Sequence, residues 1–223
     1  MDKKIPSNTI LMLSGVACVG KTTTARNIVK NYEEFKLVTE VDIIREVIRY
    51  TIKNVDAYYK FYDKNSVTLE YKSLFDSLTD GDYNTLLNQA KALLPYIRSI
   101  VYKQQRKNIA TIIEGMCIVP ELYFKNYVPI DGFKNNVVFI NLYISNQKKH
   151  FSRGDRRCKE RNYDTNKNMY DKIIKMESKN IALHESTLKL SEHCKNVYSI
   201  DVTNLNKIDI VDIIMKLLFK LFI

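Results

Sequence analysis

Gly15-Val16-Ala17-Cys18-Val19-Gly20-Lys21-Thr22 is a run whose residue types and spacing suit the binding of phosphates. Glycines at both ends of the spacer let backbone N–H groups turn inward, a lysine reaches the outer phosphates, and a hydroxyl holds Mg²⁺. Lys21 and Thr22 take those last two roles, and residues 15–22 together with Thr23 are the expected nucleotide contacts. The run follows the apolar stretch Thr9 to Ser14 and leads into a helix-compatible segment ending at Asn31, which is the context such a loop requires. Lys3, Lys4 and an apolar run closing on Val16-Ala17-Cys18 also have the outline of a secretory signal. Asp2, Pro6 and the Ser14-Gly15 break interrupt that outline, so a strand is the better fit.

A second group of candidates follows the next strand, Phe35 to Glu40. Asp42 is placed to cap a helix and to serve as base toward a substrate hydroxyl, while Arg45 and Arg49 share one helix face and suit an anionic group on the substrate. The plainer alternative is a capped helix whose arginines pair with Asp42 and Glu46. Arg98 could face the same cleft from a long helix, though a solvated face is the simpler reading. Glu114 ends an apolar strand beside the phosphate loop, where an acid orients the metal's water shell or the substrate. The basic run from Gln147 to Arg161 follows the fourth strand. Phosphoryl transfer needs cations against the charge on the moving group, and Arg153 and Arg157, four apart, are the choices for that contact. Asn204 begins a loop that could border the adenine. His150, His184 and His193 show no metal-ligand spacing and read as structural or surface residues.

The elements that must position these side chains alternate between strand and helix, which predicts an α/β fold with a parallel sheet. Strands are expected at 9–14, 35–40, 108–113, 137–144 and 197–201. Helices are expected at 22–31, from Asp42 onward, at 84–107 with a kink at Pro95, at 169–194 and at 208–223. Tyr58, Tyr59, Tyr62 and Tyr71 fall in an irregular stretch, and half-buried helix positions suit them better than a substrate lining. The 223 residues suit a single domain, 1–223, with a mobile basic lid at about 147–166.

Linkers, repeats and bilayer-length apolar stretches are not seen, so no membrane partner is expected. The four cysteines are widely spread and show no C-x-x-C spacing, so neither a zinc site nor a disulfide framework is suggested, and a reducing, cytoplasmic setting is expected. A net charge of +10 accompanies abundant lysine and asparagine throughout, so it favours solubility and phosphate handling over a nucleic-acid partner.

Four segments together resemble one family: the phosphate loop, Val41 to Arg49, Ile112-Ile113-Glu114-Gly115-Met116-Cys117-Ile118-Val119-Pro120, and the basic stretch His150 to Arg161. The sequence is similar over most of its length to the 2-phosphoglycerate kinases, small P-loop kinases related to zeta-toxin-like and nucleoside-monophosphate-kinase-like proteins. In that family the third segment typically reads I-E-G-V-H-L-V-P-G; here Met116 and Cys117 replace valine and histidine, and Glu121 replaces the last glycine. The resemblance implies a three-layer P-loop NTPase fold with a five-stranded parallel sheet ordered 2-3-1-4-5, a cleft closed by a helical lid, and Mg-ATP as donor. The expected activity is transfer of the ATP γ-phosphoryl group to a hydroxyl of a small anionic metabolite, with 2-phosphoglycerate the first candidate. Alternatives are a nucleoside, nucleotide, polynucleotide or tRNA-directed kinase, and a regulatory ATPase switch.

Overall fold

The computed structural model describes residues 4–53, 82–133, 136–160 and 168–222. The first apolar run forms β1 (Ile10–Ser14), buried at every position. A parallel strand covered on both faces has no polar side to present, so it reads in sequence as an unbroken apolar run. β3 (Thr111–Glu114) is likewise buried at every position and β6 (Val137–Tyr143) at all but its last, with Thr111, Glu114 and Asn141 as buried polar exceptions. Between them the chain forms α1 (Lys21–Asn31), β2 (Leu37–Glu40), α2 (Val41–Lys53) and α3 (Tyr83–Arg106). Asp82 caps α3 by accepting a hydrogen bond from the Thr85 amide at 3.0 Å, and the helix continues through Pro95, which lies on its exposed side.

After β3 a 3₁₀ turn (Pro120–Tyr123) leads into a hairpin of β4 (Phe124–Lys125) and β5 (Val128–Pro129), which the sequence pattern did not announce. Beyond β6 come α4 (Gln147–Glu160), α5 (Asn168–Ser191), β7 (Val197–Asp201) and α6 (Lys207–Leu221). Asn206 and Asp209 form a reciprocal capping box at the start of α6.

The main sheet is parallel with order β2-β3-β1-β6-β7. Counting only its own strands, this is the expected order 2-3-1-4-5. Handedness then fixes the layers: the crossover from β1 to β2 moves one way across the sheet, while those from β2 to β3 and from β6 to β7 move the other way. Right-handed connections therefore put α1 on one face and α3 and α5 on the opposite face. Packing agrees, since α6 rests on α1, whereas α5 meets α3 and α4.

Register decides where the chemistry gathers. Leu13 lies beside Glu114, and Glu114 lies beside Glu40, so the carboxyl ends of β1, β3 and β2 finish level with one another. Ligands bind beyond that edge in open α/β sheets. No helix among the described residues is long and apolar enough to cross a membrane. Tyr58, Tyr59, Tyr62 and Tyr71 lie outside the described residues.

Candidate functional site

The phosphate loop is held by its backbone. Gly15 has φ 135°, Cys18 φ 67° and Gly20 φ 105°. A Cβ on Gly15 would lie 2.5 Å from the Leu142 carbonyl oxygen and 2.9 Å from Val19 Cγ2, so the loop can cross β6 this closely only with glycine there. Cys18 takes the left-handed conformation without being glycine, a strained choice of the kind found at functional loops.

Two side chains from α4 grip the loop from outside. His150 Nε2 lies 2.7 Å from the Ala17 carbonyl oxygen, and Arg153 donates to the Val19 carbonyl at 3.3 Å. Because C=O and N–H point in opposite directions across a planar trans peptide, holding those carbonyls outward aims the Cys18 and Gly20 N–H groups the other way. The sequence pattern had left His150 as a structural residue, and nothing in its spacing marked it as a partner of a loop 133 positions earlier.

Lys21 opens α1 and is 8 % exposed, its Nζ donating to the Val16 carbonyl at 3.0 Å. Thr22 Oγ1 donates to Glu114 Oε1 at 2.6 Å, so the two residues expected near the metal meet each other. Burial raises the Glu114 pKa, against the lowering effects of Lys21 and the Thr22 hydrogen bond. Burial likewise lowers the Lys21 pKa, opposed by Glu114 and Asp42. The site thus gathers buried charges of both signs around a hydroxyl. Glu40, at the tip of β2, adds another carboxylate beside Glu114 and pairs with Arg26 at 2.9 Å. Glu40 was not among the expected site residues.

Asp42 was expected to cap its helix, but α2 begins directly from β2 at Val41, which puts Asp42 in the first turn instead. Its side chain is exposed and lies within electrostatic reach of Lys21 and Glu114. Gly115 is what lets α2 come so near: a Cβ there would lie 2.7 Å from Val41 Cβ. Arg45 adopts the plainer of its two expected arrangements, pairing with Glu46 at 2.8 Å and Asp42 at 3.9 Å. Its Nε is buried without a hydrogen-bond partner among the described residues. Cys117 lies buried against Gln89, and burial, reinforced by Asp42, pushes its thiol up to about 12.

Other expected residues are dispersed. Arg153 is committed to backbone, donating to the carbonyls of Val202 and Leu205 (3.2 Å to the latter) as well as to Val19. It therefore braces the loop on either side of Asn204 and, in this arrangement, is not free to meet a transferring phosphoryl group. Arg157 is exposed, 3.9 Å from Cys18 Sγ, and lowers the Lys21 pKa. Asn204 is exposed at the β7–α6 connection, and Thr23 is exposed beside Thr22. Arg98 does not face the cleft: it packs on Gly132, in the segment that feeds the opposite, amino-terminal end of β6. Along α3 it lies nine residues, about two and a half turns, beyond Gln89, which meets Cys117 past the carboxyl end of β3. The Arg49 side chain lies outside the described residues, as do residues 161–166 of the expected lid. The first part of that stretch, α4, is anchored on the phosphate loop through His150 and Arg153.

Among the described residues, no cluster of three or more His, Cys, Asp or Glu could hold a metal by itself. The Thr22–Glu114 pair fits a different chemistry, a Mg²⁺ that takes few protein ligands and completes its shell with phosphate oxygens and water.

No protein-family model matches the chain, and no curated protein matches it. Among solved structures it is similar to shikimate kinase from Acinetobacter baumannii in complex with shikimate, at 17% identity over 98% of this chain and 95% of that one, with a TM-score of 0.48. It is also similar to dephospho-CoA kinase from Campylobacter jejuni, at 16% identity over 94% of this chain and 97% of that one, with a TM-score of 0.37. The fold rests on the strand order and the loop geometry, to which these distant likenesses add nothing.

Proposed function

We propose that the protein is an ATP-dependent phosphotransferase that moves the γ-phosphoryl group to a hydroxyl of a small anionic metabolite. The single observation that carries this reading is the Thr22–Glu114 hydrogen bond at 2.6 Å, with the buried Lys21 beside it at the head of α1. That group of hydroxyl, carboxylate and ammonium suits a metal-bound polyphosphate.

Backbone N–H groups from Val16 to Thr22 and the Lys21 ammonium hold the β- and γ-phosphates. Thr22, with Glu114 behind it, holds Mg²⁺, which when bound neutralises charge on those phosphates. Asp42 takes the proton of the acceptor hydroxyl as its oxygen bonds to the γ-phosphorus; the bond from that phosphorus to the β-bridging oxygen breaks, and ADP leaves. Arg45 supplies the cation for the acceptor's anionic group, exchanging its contacts with Asp42 and Glu46 for the ligand. Arg157, beside Cys18 and acting electrostatically on Lys21, is the cation of α4 that meets the transferring group.

The first acceptor to test is 2-phosphoglycerate, on the strength of the sequence resemblance. Incubation with Mg-ATP and this acceptor, read by phosphorus NMR, should give ADP and one new phosphoester in equal amounts. Lys21→Ala should lower that turnover by about 10²-fold or more. Unchanged turnover in Lys21→Ala, or ADP release without any new phosphoester across a panel of anionic hydroxy-metabolites, would overturn the reading.

A further inference from the structure

His150 sits at the junction of three elements, with a side chain that is 0 % exposed. The ring belongs to α4, its Nε2 meets the Ala17 carbonyl at 2.7 Å, and its Nδ1 faces Glu177 Oε2 of α5 at 4.0 Å. A carbonyl only accepts, so Nε2 must carry a hydrogen. In a neutral ring Nδ1 is then a bare lone pair. It faces a carboxyl oxygen, and both atoms are buried without a hydrogen-bond partner among the described residues. Two acceptors held face to face without solvent are unfavourable, and one proton between them removes the conflict.

We infer that His150 and Glu177 are a positioning pair that shares a single proton and, by holding it, fixes the phosphate loop in its anion-binding shape. Sharing the proton requires the 4.0 Å separation to close by about 1 Å to hydrogen-bond distance: with the proton on Glu177, the carboxyl O–H then donates to Nδ1 and both groups are neutral; with the proton on Nδ1, an imidazolium donates to a carboxylate. Either form keeps Nε2–H on the Ala17 carbonyl and so keeps the Cys18 N–H aimed inward. Losing the proton leaves a carboxylate against a lone pair, which drives the two side chains apart and slackens the hold of α4 on the loop.

The surroundings favour the neutral form. Burial lowers the His150 pKa and raises that of Glu177, and Arg153 on the same helix and Lys21 on α1 add positive charge facing the ring. From β6, Tyr143 faces Glu177. The Glu177 side chain is 21 % exposed, which gives the proton a route to solvent.

The loop's ligand is a polyphosphate, a premise that rests on the proposed function, so the test has one arm without any ligand. In nucleotide-free protein, the ¹⁵N shifts of the His150 ring should report Nε2–H throughout and a titration at Nδ1 that disappears in Glu177→Gln, whose amide donates to Nδ1 at every pH. In the second arm, the Kd for Mg-ADP is measured calorimetrically from about pH 6 to 9. The wild type should weaken about tenfold as pH rises, while Glu177→Gln stays level; comparing two proteins cancels the ligand's own titration. Parallel pH profiles in the two proteins, or an Nδ1 that titrates identically in both, would overturn the inference. Absence of Mg-ADP binding at every pH would instead count against the proposed function, leaving the ring shifts to decide the pair.

Discussion

Lys21 and Glu114 lend themselves to a double-mutant cycle, using Lys21→Met and Glu114→Gln, each close in volume to the original. Lys21 is 8 % exposed and Glu114 3 %, so solvent screens neither. The signs of their titrations set the expectation. Glu114 titrates above its unfolded value in the native state, so its contribution is fully present below the unfolded pKa and is lost as pH rises through the native one. Lys21 titrates below its unfolded value, so its contribution is present above the unfolded pKa and is lost as pH falls through the native one. Burial makes each charged form cost stability, and each is tolerated chiefly because of the other.

Breaking a buried pair costs about 3–5 kcal/mol when the remaining charge is trapped. Here the orphaned group discharges by exchanging a proton, and in the Glu114→Gln protein Thr22 still donates to the carbonyl oxygen of the new side-chain amide, so each single change should cost about 1–2 kcal/mol. The double variant removes both charges together and should match or slightly exceed the wild type in stability, giving a coupling of about 2–4 kcal/mol. Urea unfolding of the four nucleotide-free proteins, followed by circular dichroism, measures this directly. The same double variant should show no phosphoryl transfer and no stabilisation by Mg-ATP, whereas the wild type should gain about 2.7 kcal/mol at a hundredfold excess over Kd. Additive losses in the double variant, or a double variant that keeps its activity, would refute the reasoning.

Gly115→Ala should destabilise the protein by about 1–3 kcal/mol and lower turnover, because the new Cβ meets Val41 at 2.7 Å and displaces Asp42 with the start of α2; Val41→Gly in the same chain removes that clash and should recover turnover but not stability, since Val41 is itself fully buried, as kinetics and thermal unfolding will report. Arg45→Ala should raise KM for the acceptor about tenfold or more while leaving KM for ATP nearly unchanged, whereas Arg98→Ala should leave both alone because Arg98 packs at the far end of the sheet. Arg153→Ala should weaken Mg-ADP binding by about 1–3 kcal/mol in calorimetry, since it frees the Val19, Val202 and Leu205 carbonyls together.

Much of this arrangement was legible before any coordinate. Val197–Asp201 was read to the residue, and the buried strands announced themselves because strands covered on both faces are predominantly apolar. Lys21, Thr22 and Glu114, which the structure brings together, could be singled out in the sequence because a loop motif and a strand tip are local features. What local pattern cannot carry is an address along a helix axis or a contact between distant segments. Arg98 shares α3 with residues at the carboxyl edge of the sheet, yet its distance along the axis puts it at the other end. Arg153 was assigned to ATP on helical spacing, and its commitment to three carbonyls from two loops leaves no trace in that spacing. His150 stood in a basic run with no periodic signal, while Glu177 belongs to a helix whose packing partner only the fold supplies. The β4–β5 hairpin, two residues per strand, is too short to impose an alternating pattern.

The most direct measurement of the central claim is phosphorus NMR of the purified protein with Mg-ATP and a panel of anionic hydroxy-metabolites headed by 2-phosphoglycerate. One new phosphoester, formed in step with ADP by the wild type and lost in the Lys21→Met, Glu114→Gln double variant, is the predicted result. ATP hydrolysis indifferent to every acceptor, or a phosphoester that persists in the double variant, would contradict it.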